Sequence, residues 1–269
     1  VGTRHGVRAC TDYGPLLADL DLVSIVTPPA THFEIARRSL GAGVHTLVEK
    51  PVTETVAQAE ALIELAAARG LVFQVGHLER FNPAVLALRP LLTRPTRIEA
   101  RRMSVYKQRG TEVDVVLDMM IHDIDIALSL VASEVVGIEA TGSIVVSGDI
   151  DMAQATLRFA NGCVADIAAS RVNLEPVRAM TVQQADGYIT VDFANHALLV
   201  GSVDEGGRLG APRDATVETL QLERSDALMD EIRSFVRAVQ DGHSPTVSGE
   251  DGKRALEVAV AVSQTIHRG

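Results

Sequence analysis

Two groupings of side chains in this sequence could do chemistry. The first is Glu49-Lys50-Pro51, a carboxylate and an ammonium group at the end of the mostly apolar run Val44–Val48. Short apolar runs without alternation read as strands buried on both faces. Ligands of open α/β sheets bind beyond the carboxyl ends of such strands. Pro51 removes a backbone donor and stops the strand. The alternative reading of Glu49 and Lys50 is a solvated charge pair on a loop. The second grouping is Asp114, Asp118, His122, Asp125 and Ser129, at spacings of 4, 4, 3 and 4. This spacing predicts one face of a helix over 114–131. The other faces are apolar, from Val115 to Leu130. Such a helix is buried on most sides, and its polar stripe must face a cavity, a ligand or paired charges. A carboxylate neighbour raises a histidine pKa and burial lowers it, so His122 between Asp118 and Asp125 suits proton exchange near neutral pH. A satisfied salt-bridge cluster is the rival reading. A metal site on Asp118, His122 and Asp125 is a third, but no further histidine or cysteine is placed to complete it, and no metal is expected.

The elements that must position these groups alternate in the first part of the chain. Val7–Cys10 reads as a short strand, Asp12–Leu20 as a helix and Asp21–Val26 as a buried strand. Thr31 and Glu34 have capping-box spacing, so a helix is expected from Thr31 to about Ala42, ended by Gly43. The strand Val44–Val48 follows. Thr55 and Gln58 repeat the capping-box spacing before a helix over Val56–Arg69, and Leu71–Val75 is the next strand. Strands alternating with helices imply a parallel sheet with crossover helices over residues 1–76.

From residue 77 to 269 the pattern changes. His77–Asn82 is polar, Pro83–Leu92 helical, and Thr96–Val105 an alternating strand. The helix over 114–131 is followed by alternating runs between Val135 and Leu222, among them Ala153–Ala160, Cys163–Ala169, Arg178–Gln184 and Tyr188–Phe193. Asn161-Gly162 and Asp186-Gly187 are hairpin turns. Helices over Ser225–Val239 and Ser248–His267 close the chain. The expected second domain is α+β with a large, mainly antiparallel sheet, and the last helix could pack back on the first domain.

The whole-chain properties narrow the function. A chain of 269 residues, 46% hydrophobic, can bury a sizeable core. No window is apolar long enough to cross a bilayer, and no secretory segment is expected. The formal net charge of −10 argues against nucleic-acid and anionic-membrane partners. The two cysteines, Cys10 and Cys163, give no zinc or disulfide pattern and suit a cytoplasmic protein.

In combination the motifs resemble the Gfo/Idh/MocA oxidoreductases, two-domain NAD(P)-dependent enzymes acting mostly on sugars. The marks are Thr27-Pro28-Pro29 with His32, Glu49-Lys50-Pro51, Asp118-x-x-x-His122-x-x-Asp125, and Ser248-Gly249-Glu250-Asp251-Gly252 before a final helix. The resemblance implies that Lys50 contacts the substrate hydroxyl and the cofactor ribose and stabilises a developing alkoxide. His122 would be the general base or acid. Asp118 would orient it or bind a sugar hydroxyl, with Asp125 in support. Thr27, Pro28, His32, Glu49 and His77 would line the cofactor, NAD or NADP. Met120 stands where the family usually has glycine, which would narrow the pocket floor. The stretches 76–83 and 117–125 are similar to the sugar-nucleotide 3-dehydrogenases, implying oxidation at C3 of UDP-N-acetylglucosamine. Arg80, Asn82, Arg102, Tyr106 and Lys107 would then contact the nucleotide sugar, the alternative for Arg80 and Lys107 being a solvated surface. Rival readings are an inositol or free-aldose dehydrogenase of the same family, and a catalytically silent module that binds sugar or oligomerises.

The resemblance also implies what is absent. The family's first strand, Gly-x-Gly-x-x-Gly turn, helix and second strand cradle the pyrophosphate, and no such fingerprint stands in this sequence. The fold class expected is thus α/β, an N-terminally truncated Rossmann-type sheet followed by the α+β domain. Asp21–Val26 would have an open apolar edge, and the polypeptide would bind NAD weakly or not at all. A homodimer or homotetramer through the second sheet is expected.

Overall fold

The computed structural model describes residues 2–107, 113–202, 216–223 and 225–268. The chain divides into two units, one of Val1–Gly76 with Ser234–Gly249, the other of His77–Arg233 with Glu250–Gly269.

The first unit runs α1 (Gly2–His5), a 3-10 turn (Gly14–Asp19), β1 (Leu22–Ile25), α2 (His32–Gly41), β2 (His45–Glu49), α3 (Val56–Ala68) and β3 (Phe73–Gly76). The strands form a parallel sheet in the order β1-β2-β3. Thr46, Leu47 and Val48 of β2 and all of β3 are buried, as in strands covered on both faces, the polar Thr46 and Gln74 included. The helices α2 and α3 pack on each other, and α2 covers β2. The capping box at Thr55 and Gln58 forms reciprocally, and Gly43, at φ +87°, turns the chain from α2 into β2. On the far side of β3, the Val75 N–H donates to the Val247 carbonyl at 3.1 Å. At the opposite edge β1 has one strand neighbour among the described residues, and Val26 just beyond it is 71% exposed.

Three local expectations fail here. Val7–Cys10 forms no strand, because Val7 is exposed and no strand runs beside it among the described residues. Asp12–Leu20 gives only the 3-10 turn, with Pro15 in its first turn and no buried residue to anchor a longer helix. Thr31 does not form a capping box. Its hydroxyl lies 2.7 Å from Thr27 Oγ1 and 2.8 Å from the Pro28 carbonyl, while Glu34 pairs with Arg37 and Arg38.

The second unit contains α4 (Pro83–Leu88), β4 (Pro95–Met103), a π turn (Val116–Met120) running into α5 (Ile121–Val131), β5 (Val135–Ser143), β6 (Met152–Phe159), β7 (Val164–Ser170), β8 (Val177–Gln184), β9 (Gly187–Asp192), β10 (Ala197–Ser202) and β11 (Thr216–Gln221). Two helices follow, α6 (Ala227–Asp241) and α7 (Gly249–Arg268). The eight strands lie in the order β11-β10-β9-β8-β4-β7-β6-β5. Every pairing is antiparallel except β4 with β7. Burial alternates along β6 and β9, so one face of the sheet is covered. The core on that face joins Ile98, Leu157, Ile167 and Val182 to Ile121 and Ile124 of α5 and to Ala255, Ala259 and Val262 of α7. From Glu250 on the last helix therefore belongs to this unit, and the stretch that rejoins the first is Ser234–Gly249. No helix of the described residues is long and apolar enough to cross a membrane.

Candidate active site

In the first unit the chemistry-bearing residues gather at the carboxyl ends of the parallel strands. Glu49 ends β2 opposite Gly76 of β3. A Cβ on Gly76 would stand 3.0 Å from the Glu49 carboxyl carbon and from Oε2, so the glycine lets the Glu49 side chain lie across the end of β3. Burial pushes the Glu49 pKa up, only partly offset by a hydrogen bond from the Lys50 backbone. Lys50 follows, half-buried, and its peptide bond to Pro51 is cis. Thr27 and Pro28, after β1, are exposed.

His32, expected to line the cofactor, sits between β1 and β2. It is fully buried. Its Nδ1 lies 2.8 Å from the Pro51 carbonyl oxygen and its Nε2 2.8 Å from that of Thr27. Both ring nitrogens face backbone carbonyls, so His32 ties the segment after β1 to the segment after β2.

In the second unit the predicted stripe is divided. Asp114 is buried and caps the helix: Oδ1 accepts from the Leu117 N–H at 2.9 Å and Oδ2 from the Ser263 hydroxyl at 2.7 Å. The π turn over Val116–Met120 widens the helix just after it. The register of a straight α-helix, on which the prediction rested, is therefore lost between Asp114 and His122. Asp118 and His122 are half-buried. Asp118, His122 and Asp125 do not bring ligand atoms within 4.8 Å of one another, so the metal-ligand set considered from spacing is not assembled.

Asp125 is buried and takes a two-pronged pair from Arg80, Nε to Oδ2 at 2.6 Å and Nη2 to Oδ1 at 2.8 Å. Buried His77 has Nδ1 3.9 Å from Asp125 Oδ2. Arg102 makes the matching pair with Asp123, both bonds at 2.9 Å, and reaches Glu79 through Nη1 at 2.8 Å. Its guanidinium carbon lies 5.8 Å from the centre of the Phe193 ring. Asn82 donates to Glu79 at 3.0 Å, and its Oδ1 caps α4 at the Ala84 N–H. Burial opposes ionisation in this network, yet the partner charges prevail. The pKa of Arg80 and of Arg102 is raised by Asp125 and Asp123, and that of Glu79 is lowered by Arg102.

These contacts engage four residues of the expected substrate shell. The polar atoms of Arg80, Asn82, Arg102 and Asp125 named above serve internal partners, because a buried guanidinium or carboxylate needs a counter-charge. Tyr106 is half-buried and Lys107 exposed, outside any strand. Sequence reasoning missed Glu79 and Asp123. The signal was available: Asp123 is an acidic residue on the apolar side of a buried helix, where a cation must meet it.

Residues 1–77 match the GFO/IDH/MocA oxidoreductase family with an NAD-binding Rossmann fold, and residues 89–190 match the GFO/IDH/MocA C-terminal domain. The chain is 41% identical over 268 residues to UDP-N-acetylglucosamine 3-dehydrogenase of Acidithiobacillus ferrooxidans, covering 97% of this chain and 85% of the relative. The chain belongs to the Gfo/Idh/MocA oxidoreductase family. Its fold superposes on the structure of UDP-N-acetylglucosamine 3-dehydrogenase GnnA from Acidithiobacillus ferrooxidans with a TM-score of 0.93 and 38% identity, covering 99% of this chain and 85% of the other. A more distant member, scyllo-inositol 2-dehydrogenase (NAD(+)) of Bacillus subtilis, is 26% identical over 93% of this chain and 76% of its own length.

A Gfo/Idh/MocA oxidoreductase binds NAD at its Rossmann unit, and the residues present fit the ribose–nicotinamide half. The exposed Thr27 hydroxyl, the Glu49 carboxyl laid over Gly76 and the Lys50 ammonium all stand at strand carboxyl ends, where such sheets bind dinucleotides. The sequence holds no Gly-x-Gly-x-x-Gly turn for the pyrophosphate.

Proposed function

We propose that this protein oxidises a secondary hydroxyl of a nucleotide sugar, at C3 of UDP-N-acetylglucosamine, with NAD or NADP. The observation that carries this reading is 41% identity along 97% of the chain to an enzyme of that name, with Lys50 at the end of β2 and His122 on α5. Bound NAD(P)⁺ supplies the hydride acceptor. Lys50 donates a hydrogen bond to the reacting hydroxyl, and its charge stabilises the oxygen as negative charge develops. His122 accepts the hydroxyl proton. Asp118 orients His122 or holds a neighbouring sugar hydroxyl. Thr27, Pro28 and Glu49 contact the nicotinamide ribose, and Tyr106 and Lys107 face the nucleotide. Arg80, Asn82, Arg102 and Asp125 support the site from behind.

The test is substrate profiling of the full chain with NAD and NADP, following formation of the reduced nicotinamide. UDP-N-acetylglucosamine should be oxidised in preference to inositols and free aldoses. Lys50→Met and His122→Asn should each lower kcat by about 10²–10⁴-fold. Turnover of a free inositol with no response to UDP-sugars would transfer the assignment to the inositol dehydrogenases, relatives at 26–28% identity. Undiminished activity in Lys50→Met would remove the mechanism.

The outward face of the second sheet carries Arg97, Glu99 and Arg101 beside Thr141, Gln154 and Asp166 along an open trough of about 570 Å³. We infer a homodimer or homotetramer through this face, and a cytoplasmic location consistent with two free cysteines. Light scattering giving a monomer mass would refute the assembly.

A further inference from the structure

Asp123 and Asp125 stand two residues apart on α5, so they project about 200° apart around the helix axis, and His122 lies in the shorter arc between them. Each carboxylate is held by a different arginine from a different element. Arg80 comes from the 3-10 turn Leu78–Phe81 and Arg102 from β4, both of which pack on α5. All four side chains are buried. Both grips are two-pronged, a geometry that fixes direction as well as distance. The Arg102 grip is fixed in turn by Glu79, which Asn82 holds. The π turn immediately before α5 leaves that end of the helix less tightly wound.

We propose that Arg80 and Arg102 are positioning residues that set the rotation of α5 about its own axis and so aim the His122 ring. The inference rests on the proton-transfer role given to His122 above. A side-chain atom on a helix lies ~5–6 Å from the axis, so a rotation of about 10° moves the ring by ~1 Å. A displacement of that size costs about 10²-fold in rate when the moved group takes part in the chemistry. Lysine keeps the charge of either arginine but cannot reproduce the fork.

The experiment uses the full chain and the variants Arg102→Lys and Arg80→Lys, with steady-state kinetics on UDP-N-acetylglucosamine at saturating cofactor. In parallel, NMR of the histidine rings is recorded, the His122 signals being identified by their loss in His122→Gln. The expected result is kcat lower by about 10²-fold, KM within ~3-fold, and displaced His122 ring signals in a protein that remains folded by circular dichroism. Where Arg102→Lys does not fold, Glu79→Gln loosens the same grip and is read in the same way. Unchanged His122 signals, or a lower Tm with kcat unaltered, would overturn the proposal and leave the arginines a purely structural role. If the unmodified protein oxidises no nucleotide sugar, the functional reading fails, and the ring signals still decide whether the arginines orient His122.

Discussion

The Arg80–Asp125 pair gives a sharp energetic prediction. The two side chains are 7% and 1% exposed. Removing one member of a buried pair costs about 3–5 kcal/mol, because the other charge is left without its partner, whereas replacing both with apolar groups of similar volume is close to neutral. Asp125→Leu leaves Arg80, among the described residues, with the Asp251 carboxylate, 3.8 Å away and 39% exposed. A pair that open returns less than ~1 kcal/mol. Arg80→Met leaves Asp125 beside His77 at 3.9 Å. Each single variant should therefore lose about 3 kcal/mol, and the double variant no more than ~2 kcal/mol, where additivity would give ~6 kcal/mol. Urea unfolding followed by circular dichroism measures all four proteins. With a slope of about 3 kcal/mol per molar, each single variant should unfold ~1 M earlier in urea, and the double variant should recover most of that. A double variant as unstable as the sum, or single variants within ~0.5 kcal/mol of the parent, would refute the account of the pair as mutually neutralising.

Two further outcomes follow from local geometry. Gly76→Ala would crowd Glu49, since the new Cβ would stand 3.0 Å from its carboxyl and 3.1 Å from its Cα, and one of them must shift by a few tenths of an ångström; thermal unfolding should show a loss of about 1 kcal/mol or more. The Asp151 carboxylate is buried, which alone would raise its pKa. The Ser147 hydroxyl and the N–H groups of Val146, Val145 and Ser147 outweigh that and hold it well below its ordinary 3.8. The folded state thus takes up this proton less readily than the unfolded chain. Its stabilising effect is complete above pH 3.8 and is lost as the pH falls below that value. Asp151→Asn should cost about 3 kcal/mol at neutral pH, because Arg171 loses its charge partner. It should also give a flatter acid limb in a plot of Tm against pH.

Strongly patterned elements were legible in the sequence. The unalternating run Val44–Val48 became β2 with its charged pair at the expected end, and Thr55 with Gln58 capped α3 as their spacing required. Thr31 and Glu34, with identical spacing, did not, because nearby partners competed: Thr27 for the hydroxyl and two arginines for the carboxylate. Spacing states that a bond is possible, and local competition decides whether it forms. The helix bearing His122 was found, but its stripe was drawn on a straight α period, and no residue type announces a π turn. Arg80 and Arg102 looked like ligand-seeking cations because their partners, Asp125 and Asp123, are brought to them only by tertiary packing. The excess of acidic residues on an otherwise apolar helix was the clue that they would be consumed internally.

The position of β4 in the second sheet bears on how that unit can be made. β4 is synthesised at residues 95–103, yet its two strand neighbours are drawn from residues 164–184. As the chain leaves the ribosome, the hairpins β6–β7 and β8–β9 can close locally, while β4 must wait and then insert between them, parallel to one and antiparallel to the other. Long-range pairings of this kind form late, because loop-closure entropy is spent before they return any contact. Pulsed hydrogen exchange during refolding should find the β6–β7 amides protected before those of β4, and protection of β4 first would contradict this order. Since α5 packs on β4 as well as on β7, the helix that carries His122 completes its seat once the middle of the sheet has been filled.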